Sequence, residues 1–194
     1  MTRIHPVTSA TPAPPDADAT ARVQATLAGI WGHQPLAYAA YVAATAALRS
    51  NGTLPARLVE LVRLRIAFHN QCRTCMASRR LSDDVVSETL VCSLERPYEA
   101  PDLTDAERVA LRYADLFASD HLAIDDETYE SLRAHLTEAE IVELGMTCAL
   151  FVGFGRLAAT WDIVEDLPSS FTQHAEPVTP WGHDRTLSMV PSTQ

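Results

Sequence analysis

No block of basic residues occurs in these 194 residues, whose formal net charge is −10. Phosphate binding needs clustered cations, so no nucleic-acid partner is expected. No charged segment followed by an apolar run stands near residue 1, so no secretory signal is expected. The uncharged apolar run 144–155 falls short of the ~20 apolar residues that span a bilayer. These absences predict a cytoplasmic protein with no membrane partner. Strand-type alternation is scarce as well, and helical spacing dominates, which predicts an all-α fold. Gly153-x-Gly155 follows no strand and is read as a helix-packing feature, not a nucleotide loop. The acidic residues 125–127 lack calcium-loop spacing and read as a solvated helix start. Of the four cysteines, Cys92 and Cys148 are single, and no second Cys-x-x-Cys exists to complete a zinc site. Neither a metal nor a cofactor is expected.

What is present divides into three stretches. Residues 1–16 carry Pro6, Pro12, Pro14 and Pro15 and read as an extended leader. Residues 17–167 read as one helical domain. Helices are predicted over about 18–30, with Asp18 near the start, and over 35–50, ended by Asn51-Gly52. Ser82-Asp83-Asp84 reads as a cap for a short helix over 85–94. Thr104 and Thr137 each stand three residues before a glutamate and open capping boxes. These start helices to about 119 and about 166, with another over 125–135 between them. Residues 168–194 return to Pro, Ser and Thr: either a disordered tail or an arm that Trp181 anchors on its own or a neighbouring subunit.

The chemistry concentrates in residues 55–80, which hold the only Cys-x-x-Cys, Cys72 to Cys75. Pro55 suits a helix start, and Leu58, Leu61, Val62, Ile66 and His69 follow helical spacing. A corner at 69–71 leads to a second helix from about Cys72. There, unpaired N–H groups favour a thiolate, and the i, i+3 spacing lets the sulfurs join. On that helix Arg79 would share a face with Cys75. A tight hairpin would place Glu60 opposite Arg79. Glu60 has several readings: a pair with Arg57 or Arg63 one turn away, a pair with Arg79, or a buried acid–base group with a raised pKa. His69 reads as a helix C-terminal residue on the dipole, or as a base for the thiols.

This stretch resembles the carboxymuconolactone decarboxylase and alkylhydroperoxidase D-like (AhpD-like) family, whose pattern is Glu-x11-Cys-x2-Cys-x3-His. Glu60, Cys72 and Cys75 fall on it, ELVRLRIA (60–67) matches its helix, and 137–158 is similar to its second conserved helix. The closing histidine is Arg79 here, and Thr74 stands where peroxidase members often have another histidine. Arginine keeps its proton and cannot relay one, though it can stabilise a thiolate. The resemblance implies an all-α AhpD-like fold. It also implies a dithiol oxidoreductase in which Cys75 attacks hydroperoxide, becomes a sulfenic acid and is resolved by Cys72. A thiol reductant partner, or disulfide exchange with one, would complete the cycle. The decarboxylase branch implies instead a lyase or isomerase acting on an organic acid through Glu60. A non-catalytic helical assembly protein is the third reading. Family members are commonly homo-oligomers, trimers or hexamers.

Overall fold

A computed structural model describes residues 2–172, 177–183 and 186–190. Among them the chain is almost entirely helical, as the spacing predicts. The helices are α1 (Ala19–Trp31), α2 (Pro35–Asn51), α3 (Ala56–His69), α4 (Arg73–Ala77), α5 (Glu88–Cys92), α6 (Asp105–Ser119), α7 (Asp126–Arg133) and α8 (Glu138–Trp161). Two short strands, β1 (Ser78–Arg79) and β2 (Leu187–Ser188), pair in parallel.

α3 is the centre because its apolar residues point in all directions. Leu58, Leu61, Val62, Leu64, Ile66 and Ala67 are all buried. α6 packs along one side with Ala110, Leu111 and Ala114, and α8 along another with Ile141, Leu144 and Cys148. Each fully buried Leu or Ile in this seam contributes about 1.5–3 kcal/mol of transfer free energy.

The polar side chains of α3 then fix the register of its neighbours. Arg57, Arg65 and His69 are separated by multiples of four and form one stripe. Arg57 donates to Glu107 at 2.7 Å, while Arg65 and His69 both meet Asp115 at 2.7 Å. Both carboxylates belong to α6. Glu107 also closes the capping box with Thr104, so one side chain caps α6 and ties it to α3. The second expected box, Thr137 with Glu140, opens α8.

Several boundaries differ from expectation. α5 is capped by Ser87, not by residues 82–84, because the Ser87 side chain accepts from Leu90 N–H. α8 stops at Trp161, short of 166, where Asp162 turns left-handed (φ 54°). The chain after it folds back and buries Ile163, Val164 and Leu167. By length and composition, with a mean hydropathy of 1.6 over its best window, α8 is apolar enough to cross a membrane. The uncharged run alone did not suggest this. Here α8 packs on α3 and α6 along one face, and 22% of that window is buried.

The described part of 168–194 is an arm on this molecule's own core. Trp181 is buried, its ring 5.0 Å from Phe68, and Leu187 is buried beside β1. The 1–16 segment docks as well: Arg3 N–H donates to Trp161 O and Val7 N–H to Gly29 O. α2, in contrast, has no fully buried residue, and α8 leaves Val142 and Met146 exposed.

Candidate dithiol site

The corner between α3 and α4 sets the sulfurs. Gln71 adopts φ 49°, a left-handed conformation that costs a residue with a Cβ about 1–2 kcal/mol. Its side-chain amide offsets that cost. It donates to Phe68 O at 2.7 Å, and its oxygen accepts Val178 N–H at 2.9 Å. The next residue, Cys72, caps α4, and its Sγ accepts the N–H of Cys75 at 3.3 Å. Cys72 and Cys75 are joined as a disulfide, with Cα atoms 5.1 Å apart. Cys72 is sealed at 1% exposure, whereas Cys75 is only partly buried. The apolar wall beside Cys75 includes Val23 of α1, Met76, Phe171 and Leu187.

The second helix is much shorter than expected, and this moves Arg79. α4 ends at Ala77, and Arg79 lies in β1, not one helical turn beyond Cys75. Its guanidinium is buried and bonds Glu88 at 2.7 and 3.0 Å, Met76 O at 2.8 Å and Pro180 O at 2.6 Å. Its carbonyl accepts Met189 N–H at 2.8 Å. Arg79 thus holds the arm, and the expected Glu60–Arg79 seam does not form. The reason is geometric: five residues of α4 leave too little helix to lie antiparallel to α3.

Glu60 pairs with Arg63, one turn along the same helix, through bonds of 2.6 and 2.7 Å. It also accepts Arg80 N–H at 3.0 Å. Arg63 continues to Cys75 O at 2.8 Å and Ser78 O at 2.7 Å. The two residues therefore form a buried clamp from α3 to the segment carrying the sulfurs. Burial alone would raise the Glu60 pKa, but the Arg63 guanidinium and the Arg80 N–H outweigh it and hold the carboxyl below its usual range. The rise expected for a buried proton-passing glutamate is absent.

His69 ends α3 as expected and is engaged by Asp115, with no bond to either sulfur. Asp115, which also receives Arg65 and Tyr98, carries no motif signal in the sequence. Thr74 donates to Ile163 O at 2.9 Å and pins α4 to the segment after α8. Burial pushes the Cys148 thiol up to about 12, so this cysteine is inert at neutral pH. Of the two glycines expected to allow close packing, Gly155 does so, since an added Cβ would lie 2.5 Å from Asn70 Nδ2, whereas one at Gly153 would meet nothing within 4 Å.

No family model matches the chain. Among solved structures, it is similar to a protein of unknown function from Agrobacterium tumefaciens whose description offers AhpD antioxidant defence as a candidate role. The TM-score is 0.59 at 24% identity, over 69% of this chain and 93% of that one. An uncharacterized peroxidase-related protein from Ralstonia eutropha, described as an alkylhydroperoxidase AhpD core, gives 0.59 at 18% identity over 77% and 78%. A peroxidase-related protein from a Silicibacter species gives 0.59 at 16% over 76% and 78%. The chain has the AhpD-like fold, in agreement with the family that its Glu60–Cys72–Cys75 pattern resembles. Two uncharacterized proteins of Mycobacterium tuberculosis, from strains CDC 1551 and H37Rv, are each 40% identical over 90 residues, 44% of this chain. That match spans 31% of their length.

Proposed function

We propose that the chain is a dithiol–disulfide oxidoreductase working through Cys72 and Cys75. The observation that carries this reading is the asymmetry of the bonded pair: Cys75 is only partly buried, whereas Cys72 is 1% exposed with an N–H on its sulfur. An external thiolate attacks Cys75 Sγ, the S–S bond breaks, and the electron pair leaves on Cys72, where the Cys75 N–H stabilises it. The second thiol of the reductant then attacks its own sulfur in the mixed disulfide. This releases the Cys75 thiolate and the oxidised reductant, with two electrons transferred and two protons taken from solvent. Exchange of this kind needs no protein base, which suits a site where Glu60 is held by Arg63 and Arg79 by Glu88.

Hydroperoxide reduction is the finer form of the same proposal. The Cys75 thiolate attacks the peroxide, an alcohol leaves with a proton, and Cys72 displaces water from the resulting sulfenic acid. A lyase reading through Glu60 is weaker, since an ionised, paired and buried carboxylate is a poor acid and a poor base. We place the protein in the reducing cytoplasm, where such a pair rests as the dithiol and the disulfide is a stage of turnover. The exposed apolar positions of α2 and α8 suit self-association into a homo-oligomer, trimer or hexamer.

Cys72→Ser and Cys75→Ser variants test the reading. With an aromatic disulfide reagent, and with the exposed Cys92 replaced by serine in both, Cys72→Ser should form a mixed disulfide at Cys75 rapidly, while Cys75→Ser should react far more slowly. Reduced native protein given an organic hydroperoxide should lose two hydrogens from its intact mass. Variants that are equally inert would remove the proposal. Disulfide exchange without any peroxide reaction would retain it in its exchange form alone.

A further inference from the structure

A cleft of about 440 Å³ opens between α2, α3, α8 and the arm, and neither Cys72 nor Cys75 lines it. Its walls are largely apolar: Leu48, Leu54, Val59, Leu81, Leu150 and Phe151. Its volume lies in the ~300–1,000 Å³ range of small-molecule sites.

The charges in it are unequally committed. Of the two carboxylates, Glu60 is taken up by Arg63 and Arg80 N–H, and Glu143 accepts Thr53 N–H at 2.7 Å and Leu54 N–H at 3.3 Å. Arg63 is spent on Glu60 and two carbonyls. Arg49 and Arg80 also line the cleft, and among the described residues neither guanidinium has an ion-pair or hydrogen-bond partner. Arg80 lies over the Phe151 ring at 5.6 Å, which holds its head within the cleft. Three guanidinium groups against two carboxylates leave a surplus of one positive charge, in a chain whose net charge is −10.

We propose that this cleft binds an amphipathic carboxylate, one anionic head with an apolar tail, the head held by Arg80 and Arg49. A guanidinium fork matches a carboxylate in a bidentate way, and the apolar walls take the tail. A neutral apolar ligand would cover both cations without pairing them, and a second anionic group would meet Glu60 or Glu143. The site is independent of the thiol cycle proposed above, so its failure and that of the dithiol reading are separable.

Calorimetric titration of the oxidised protein with octanoate, beside 1-octanol, tests it. Octanoate should saturate a single site per chain, and 1-octanol should bind much more weakly. Arg80→Ala should weaken octanoate about ten- to a hundred-fold, the range for losing a charge-assisted bond. Arg49→Ala should act in the same direction, with unchanged circular dichroism in both. Arg80→Lys keeps the charge and should recover part of the loss. Arg96→Ala, remote and exposed, should bind as the native protein does. Equal binding of acid and alcohol, undiminished binding by Arg80→Ala, or no binding at all, as when a second copy fills the cleft, would overturn the proposal.

Discussion

Replacing Arg63 by alanine should be the most damaging single change near the sulfurs, and its cost should depend on pH. Arg63 is 4% exposed and Glu60 3%. The substitution removes both bonds to the Glu60 carboxylate and uncovers the carbonyls of Cys75 and Ser78. Removing one partner of a buried ion pair costs about 3–5 kcal/mol, mostly from the stranded charge. In the native chain the Glu60 pKa is depressed, so its contribution to stability is present above the unfolded value and is lost as pH falls through the folded one. In the variant desolvation is opposed only by the Arg80 N–H and the Arg80 charge, and the pKa of Glu60 rises. Its burden then grows as pH rises above the unfolded value. The deficit of the variant should accordingly be largest at neutral pH and shrink on acidification towards the ordinary glutamate range. Urea unfolding of native and variant proteins at several pH values measures this directly. A deficit below about 1 kcal/mol at neutral pH, or one that does not change with pH, would refute the clamp as a buried charge pair.

Two further outcomes follow from the same geometry. Burial would raise the Asp115 pKa, but His69, Arg65 and Tyr98 hold it at about 2, so the stability it contributes is lost as pH falls from the ordinary aspartate range to that value. Asp115→Asn should remove an acid-dependent loss of roughly 2–3 kcal/mol, read from acid unfolding curves of the two proteins. Trp181→Ala should loosen the arm, with a loss of up to about 3–5 kcal/mol for a buried tryptophan. Hydrogen exchange at the Met189 amide, which donates to Arg79 O, should then accelerate while amides of α3 stay protected.

The helical frame was legible because its signals are local. Capping boxes at Thr104 and Thr137 and the spacing within α3 fix elements through residues three and four apart, whatever lies around them. The same locality gave the Cys72–Cys75 pair and the possibility of Glu60 pairing with Arg63. The place of Arg79 was not legible, because it depends on where α4 stops. That stop is set by distant partners: Thr74 bonds Ile163, and β1 needs β2 from the arm. Asp115 was silent for the same reason. Its three partners lie on α3 and in the loop before α6, and no sequence spacing joins them. Arm and tail have similar composition, and only the contacts of Trp181 and Leu187 separate them.

The arm also imposes an order on synthesis. Residues 55–80 leave the ribosome long before Val178, Trp181 and Leu187 exist to cover them, and chains generally fold in that direction. The pair is therefore open on the nascent chain, where any passing oxidant or reductant reaches both sulfurs. Enclosure comes late: the arm adds Val178 and Leu187 to the wall beside Cys75, which stays only partly buried.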